Sequence, residues 1–375
     1  MKTQILKENL KQALAIVERA TAKTPTLPIL GMISVVAEKN ALELSATDLE
    51  IGIRCKVLAK TEKEGGCAVP ARLLSQLVGA LPEREIKLSA QKGILQVESK
   101  EHQTNIKILP IDDFPIIPSR QGAEEALEIE SKAFCAGLAQ VIGMAGQNQT
   151  RPEISGVLVY LQGDGMKLVA TDSFRLAEKT LNLQKSQAQT GSFILPAKTA
   201  KEVIGIFGDL PGKLKLYFSP TQALADYSAE GETGGPSLQI VSRLIEGEYP
   251  RYQDVIPRDF TTKVQTSKQE LVSRIRAASV FSGKMQDAKV VVDPGKKGLE
   301  ISAQSPDIGS HSSFLAARVE GERLETSFNW RFLLEGLANI KGDEVEISFG
   351  GEGAAALIRP LGKEQYLYVV MPVKA

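Results

Sequence analysis

Cysteine and histidine are scarce: 375 residues hold three cysteines, Cys55, Cys67 and Cys135, and two histidines, His102 and His311. No two cysteines form a C-x-x-C pair, and an odd number does not close a disulfide framework. The thiols therefore read as small buried hydrophobes of a reducing compartment. Two histidines are too few for a histidine-rich zinc site, so no metal is expected. No apolar run approaches the ~20 residues needed to cross a bilayer, and Met1-Lys2-Thr3-Gln4-Ile5 is too polar to open a signal peptide. A cytoplasmic location with no membrane partner is expected. Excess charge is missing too: 45 basic residues balance 45 acidic ones. Nucleic-acid binders are usually basic overall, so the neutral sum leaves DNA binding open only if the charges are segregated. Catalytic signatures are also absent. None of the four Gly-Lys pairs is followed by Ser or Thr, there is no G-x-S-x-G elbow, and neither histidine lies in H-E-x-x-H. Neither catalytic residues nor a cofactor is expected.

What the chain does have is a repeat of about 125 residues. Leu42-Glu43-Leu44-Ser45-Ala46-Thr47-Asp48 reappears as Met166-Lys167-Leu168-Val169-Ala170-Thr171-Asp172. It returns more weakly as Leu299-Glu300-Ile301-Ser302-Ala303-Gln304-Ser305. The alternation predicts a strand, ended in the first two copies by a Thr-Asp turn. Recurrence at strand ends gives Asp48 and Asp172 a structural role rather than that of paired catalytic carboxylates.

Each copy is expected to start with an amphipathic helix: Leu6, Leu10, Leu14 and Val17 in the first; Phe134, Leu138, Val141 and Ala145 in the second; Leu271, Ile275 and Ala278 in the third. A second helix follows Val69-Pro70-Ala71-Arg72 (Leu73, Leu74, Leu77, Val78, Leu81), Leu195-Pro196-Ala197-Lys198 (Val203, Ile204, Phe207) and Phe328-Asn329-Trp330-Arg331 (Leu333, Leu334, Leu337, Ile340). Proline costs little at a helix start. Alternating strands and turns at Gly163-Asp164-Gly165 and Pro294 to Gly298 predict antiparallel hairpins. The expected fold is α+β: three tandem modules over residues 1–121, 125–248 and 249–375, each with two helices packed on antiparallel sheets.

The six predicted helices together carry a formal charge of +6, so the rest of this neutral chain carries −6. Two readings stand: solvated helix faces of mixed charge, or a positive layer that faces a polyanion through a few salt-dependent contacts.

In order and at the right spacing, several segments resemble the bacterial β sliding clamp family, the processivity subunits of DNA polymerase III. They are Pro25-Thr26-Leu27-Pro28-Ile29-Leu30-Gly31, Ala46-Thr47-Asp48-Leu49-Glu50, Val69-Pro70-Ala71-Arg72, Val169 to Ala177 and Tyr368-Val369-Val370-Met371-Pro372-Val373. The resemblance covers the whole chain. It implies a head-to-tail homodimer closing into a ring around double-stranded DNA without sequence preference, each chain forming half of it, with helices inside and sheets outside. It places Thr104 and Ile106 of one chain against Val280 and Phe281 of its partner, so that Asp at Ile106 or Phe281 should give monomers. It implies a groove between modules two and three for short motifs of the DNA polymerase III α subunit, the clamp-loader δ subunit and other clamp-motif proteins. The matching positions are Ile154, Thr171, Ser173, Phe174, Arg175, Leu176, Pro250, Val255, Val369, Met371, Pro372 and Val373. DNA-facing positions by resemblance are Lys23, Thr24, Gln149 and Lys198; Arg72, Lys201, Arg274 and Arg276 join them from helix position. The chain departs from many members at Ser173-Phe174, where they have glycine-histidine, and at Asp254 and Ala355, where some have a basic residue and serine. The rival expectation is a non-ring repeat protein that binds a small ligand or regulatory peptide in its inter-module grooves.

Overall fold

A short strand precedes the first helix of every repeat: Lys2–Leu6, Leu127–Glu130 and Thr262–Ser267 in the computed structural model. The structure describes residues 1–22, 24, 27–119, 126–147, 150–183, 190–228 and 237–373. Each opening strand pairs antiparallel with the strand that follows the second helix of its repeat, Glu85–Gln91, Lys213–Phe218 or Glu344–Phe349. The expectation that each copy begins directly with a helix is corrected by these strands. Leu6, expected on a buried helical stripe, ends the first of them and is 52% exposed.

Six α-helices lie among the described residues: α1 Lys7–Val17, α2 Ala71–Ala80, α3 Ser131–Val141, α4 Ala197–Phe207, α5 Lys268–Ser279 and α6 Trp330–Ala338. Pro70 and Pro196 each close a strand immediately before α2 and α4, as their missing N–H allows. The later helices use side-chain caps. Ser267 Oγ accepts from Glu270 N at 3.4 Å, and Asn329 Oδ1 accepts from Arg331 N at 2.9 Å. The apolar stripes are buried at Leu10, Leu14 and Val17 of α1, Phe134, Leu138 and Val141 of α3, and Leu271, Ile275 and Ala278 of α5. Two stripe residues fall elsewhere. Leu73 is exposed on α2, and Ala145 lies past the end of α3, where the 3₁₀ turn Ile142–Met144 buries Met144 in its place.

The contacts group the chain into two units, one of residues 1–133 and 202–244, the other of 134–201 and 245–375. In the first, an antiparallel five-stranded sheet runs in the order Lys60–Lys63, Lys2–Leu6, Glu85–Gln91, Ile94–Glu98, Gln103–Lys107. Its eight-stranded sheet joins Leu127–Glu130, Lys213–Phe218, Gln222–Ser228 and Ser237–Arg243 to Ile51–Leu58, Ala41–Thr47, Met32–Glu38 and Gly65–Pro70. α1 packs on α2 and on Ile51–Leu58. In the second unit, a nine-stranded sheet runs Gly191–Pro196, Gly156–Gln162, Gly165–Thr171, Arg175–Asn182, Tyr366–Val370, Ala356–Pro360, Glu344–Phe349, Thr262–Ser267, Arg318–Gly321. A four-stranded sheet, Gly309–Ala316, Gly298–Ser305, Asp287–Asp293, Leu324–Asn329, packs with α5. The unit borders differ from the module borders expected near 121–125 and 248–249, because the eight- and nine-stranded sheets each run from one expected module into the next.

The Thr-Asp turns repeat bond for bond. Thr47 Oγ1 donates to Ile51 O at 2.8 Å and accepts from Leu49 N at 3.0 Å. Asp48 Oδ1 accepts from Glu50 N at 3.0 Å and Ile51 N at 2.9 Å. In the second copy Thr171 Oγ1 donates to Arg175 O at 2.7 Å and accepts from Ser173 N at 3.2 Å, while Asp172 Oδ1 accepts from Phe174 N and Arg175 N, both at 3.0 Å. Both turns drive their third residue into the left-handed region, Leu49 at φ 77° and Ser173 at φ 78°. The aspartates therefore satisfy backbone donors that a tight turn strands. The Asp48→Ala variant is expected to lose about 1–3 kcal/mol of stability in urea denaturation, as for two unmet amide donors; an unchanged midpoint would remove this role.

All three cysteines are buried and outside any disulfide. Burial pushes the Cys55 thiol up to about 12 and Cys67 up to about 11, from 9.0. A raised folded pKa favours folding while the thiol is protonated. That contribution is complete below the unfolded pKa near 9 and drains away as pH climbs towards 11 and 12. The denaturation midpoint is thus expected to fall as pH rises from 9 to 11, and less steeply in a Cys55→Ala/Cys67→Ala variant; equal slopes in the two proteins would refute the linkage.

Candidate functional site

The second Thr-Asp turn sets one wall of a cavity of about 250 Å³ in the second unit. Strand Arg175–Asn182 leaves that turn and pairs with Tyr366–Val370, matching Arg175 to Val370 and Leu176 to Val369. One step further on, Met371 N donates to Phe174 O at 2.9 Å, holding the chain that follows the last strand against the turn. The 3₁₀ turn Pro152–Ile154 is tied in by Gly146 N, which donates to Ile154 O at 2.8 Å and to Thr171 O at 3.2 Å. The turn Tyr252–Val255 supplies the remaining side.

The floor is apolar. Leu176, Val369 and Tyr252 are 2%, 2% and 5% exposed and belong to one buried cluster with Leu158, Val169, Ile194, Ala355 and Leu357. Burial raises the Tyr252 phenol well above its ordinary range, so it stays neutral. The rim is apolar as well, but open: Phe174 is 62% exposed, Val255 52% and Met371 42%. Exposed bulky hydrophobics gathered over one cavity differ from the single exposed leucines found on most surfaces.

Arg175 braces the wall. Its Nε donates to Asp172 Oδ2 at 2.9 Å, Nη1 to Glu335 Oε2, and Nη2 to Gly143 O at 3.4 Å. Its guanidinium carbon stands 4.4 Å from the Phe332 ring centre, and Phe174 stacks on Phe332 at 6.5 Å. Burial by itself would lower the Arg175 pKa, but hydrogen bonds to Glu335 and Asp172 outweigh it and the value is raised. The cation is therefore permanent and fixed, and Phe174 rests on an aromatic–guanidinium stack. On the far side Arg151 Nη1 donates to Ser173 Oγ at 3.0 Å.

Ten of the twelve groove positions expected from the sequence line this cavity. Pro372 and Val373 do not; Val373 N donates to Ser327 O at 2.8 Å, which leads the tail away along the Leu324–Asn329 strand. Arg151, Arg251 and Tyr252 line it without having been anticipated. A signal for them was available, since Arg151 precedes Pro152 as Leu27 precedes Pro28, and Arg251 and Tyr252 follow Pro250. Of the departures, Ala355 is buried in the floor cluster and Asp254 is exposed on the Tyr252–Val255 turn.

The expected DNA-facing residues are scattered over helices and loops. Thr24, Arg72, Lys198, Lys201 and Arg276 are exposed, whereas Arg274 is half-buried with its Nε lacking a hydrogen bond. Lys23 and Gln149 lie outside the described residues. Thr104 and Ile106 do sit on an edge strand, Gln103–Lys107. Ile106 is 3% exposed and packs inside its own chain, so a charge there would also disturb the core of its own sheet. Val280 is 66% exposed; Phe281 is half-buried and stacks on His311 at 5.7 Å.

The DNA polymerase III beta subunit family is matched in all three of its parts: its N-terminal domain at residues 1–118, its central domain at 128–251 and its C-terminal domain at 253–374. The chain belongs to this family. It is a DNA sliding clamp, a processivity subunit with no catalytic site of its own. The beta sliding clamp of Synechococcus elongatus is 28% identical over 381 residues, covering 100% of this chain and 99% of that protein. The beta sliding clamp of Bacillus subtilis is 27% identical, with 100% of each chain covered. The crystal structure of the Bacillus subtilis DNA polymerase sliding clamp superposes with a TM-score of 0.94 at 26% identity, covering 100% of this chain and 99% of that one.

Ser173 is the strained residue of this clamp's groove. A left-handed conformation costs a non-glycine residue about 1–2 kcal/mol, and glycine returns roughly half of that as backbone entropy. The Ser173→Gly variant is expected to be more stable by up to about 1 kcal/mol in urea denaturation; a clear loss of stability would mean that the Arg151–Ser173 hydrogen bond, not the strain, dominates.

Proposed function

We propose that two copies of this clamp close head to tail into a ring around double-stranded DNA, in the cytoplasm. The ring tethers the DNA polymerase III α subunit, the clamp-loader δ subunit and other clamp-motif proteins through the groove at Thr171–Leu176. Residues 1–121, 125–248 and 249–375 serve as three modules, giving six around the ring. The observation that carries the partner site is the open apolar rim, Phe174, Val255 and Met371, over the buried floor of Leu176, Val369 and Tyr252. An extended peptide can seal such a groove with alternate side chains, while Arg151 and Arg251 offer polar contacts at its edges.

Two sheet edges that are unpaired among the described residues support the dimer, Gln103–Lys107 and Gly309–Ala316. Exposed strand edges invite pairing with another chain, and two different edges suit a heterologous contact that closes a ring. Val280 and Phe281 follow α5, which packs on Gly309–Ala316. Exposed Arg72, Lys198, Lys201 and Arg276 suit salt-dependent contact with phosphates.

Light scattering is expected to give twice the chain mass, and Val280→Asp to give the monomer mass. Once loaded, the protein should stay on circular DNA and run off the same DNA after linearisation; equal retention on both would favour a groove binder that never forms a ring. Met371→Asp, or truncation after Val370, should weaken a clamp-motif peptide by roughly 10- to 100-fold, the worth of one buried apolar anchor. An unchanged affinity would remove the groove assignment.

A further inference from the structure

The groove at Thr171–Leu176 has a counterpart in the first unit, built on the same backbone bonds. Where Met371 N donates to Phe174 O at 2.9 Å, Arg243 N donates to Glu50 O at 2.9 Å. Where Gly146 N donates to Ile154 O at 2.8 Å, Ala22 N donates to Leu30 O at 3.0 Å. Where Ile154 N donates to Arg151 O, Leu30 N donates to Leu27 O. Strand pairing matches as well, Gly52 to Val241 as Leu176 to Val369. The linkers align as Phe114-Pro115-Ile116-Ile117 with Tyr249-Pro250-Arg251-Tyr252. Ile117, 5% exposed, is the floor residue in the place of Tyr252, and it lies over Gly52, where a Cβ would stand 2.6 Å from Ile117 Cγ2.

The side chains laid on this frame are inverted in character. At the places of Arg151, Ser173 and Arg251 stand Leu27, Leu49 and Ile116, which are 53%, 50% and 95% exposed. Leu49 carries a double cost, an exposed apolar side chain on a left-handed backbone that glycine or asparagine would adopt more easily. Ile51 stands in the place of Arg175, so none of the three cations of the second groove has an equivalent at its own position here. Exposed Glu50 replaces Phe174, and exposed Asp112 and Asp113 open this linker where the second has Gly247 and Glu248; among the described residues the cations here are Arg243, in the place of Met371, and half-buried Arg54, whose guanidinium donates to Ile117 O and Pro118 O.

We propose that Leu27, Leu49 and Ile116 over Ile117 form a second docking surface, for an extended peptide with bulky apolar anchors flanked by lysine or arginine. This rests on reading the Thr171–Leu176 groove as a peptide site. The shared frame presents the strand-following segment, the turn and the linker in the same arrangement, and the acidic rim selects the opposite flanking charge. The two surfaces thus take peptides of one conformation, and the acidic rim makes only the first-unit surface demand basic flanks.

The test is isothermal titration of the full-length protein with two synthetic dodecapeptides. Both carry the same leucine and phenylalanine anchors; one is flanked by two lysines and the other by two glutamates. The expected result is two classes of site per chain for the lysine peptide. One class is lost in Met371→Asp; the other weakens at least about tenfold, the worth of one apolar anchor, in Leu49→Gly and in Ile116→Glu. Leu49→Gly suits the backbone at this turn, so its fold should be intact by thermal melting. The glutamate peptide should fill only the Met371-dependent site. A single Met371-dependent site for both peptides overturns this proposal and leaves the groove reading standing. A single site sensitive to Leu49 and Ile116 supports it and overturns the groove reading. Binding that responds to none of the three substitutions overturns both.

Discussion

The antiparallel pairing of Arg175–Asn182 with Tyr366–Val370 is the contact on which the groove depends. Strands separated by nearly two hundred residues of chain are locked in one register by backbone hydrogen bonds. Because side chains alternate, a slip of one residue in either strand would turn its floor residue, Leu176 or Val369, away from the buried cluster and bring Arg175 or Val370 in. The same pairing delivers Met371 to the Thr-Asp turn, so floor and rim are fixed by a single register. The pairing of Ser237–Arg243 with Ile51–Leu58 does the equivalent work in the first unit.

On top of this pairing the turns are held by a circuit of one threonine and one aspartate that is independent of the residues displayed. The circuit uses backbone amides, so the third and fourth positions of the turn are free to change: Leu49-Glu50 in one copy, Ser173-Phe174 in the other. One frame can therefore carry a basic-edged groove in one place and an acidic-edged apolar surface in another. The third copy has lost the circuit. Ser305 is followed by Pro306, and Ile308 N donates back to Ser305 O instead. Gly309 with φ 122° then starts the edge strand directly.

Charge follows a similar division between fixed and free. Arg175 is bound to Asp172 and Glu335 and stacked on Phe332, so it shapes the wall more than it attracts ligands. Arg72 and Arg276 stand exposed on their helices and suit weak, screened, sequence-independent attraction to phosphate. A neutral net charge is compatible with both, because what matters is which side chains are committed to internal partners.

Local patterns were legible in the chain itself: the repeat period, the helix-opening prolines, the strand that ends in Thr-Asp, and the apolar stripes of α1, α3 and α5. These follow from interactions between residues close in sequence; ten of the groove positions came instead from the resemblance to the family. What the sequence did not disclose depends on distant neighbours. The resemblance places Ile106 at a contact with a partner chain, and it does lie on an edge strand, yet its side chain is buried within its own chain. Leu73 reads as core and is exposed, because α2 buries only its Leu74 and Val78 side. Arg151, Arg251 and Tyr252 reach the groove, and Val373 leaves it, because long-range hydrogen bonds place their loops and tail. The sequence by itself determined the repeated elements and their turns, through local hydrogen bonding and periodicity. The tertiary structure alone decided which copy of the frame is open and which side chains meet there, since strand register and burial are set by partners far along the chain.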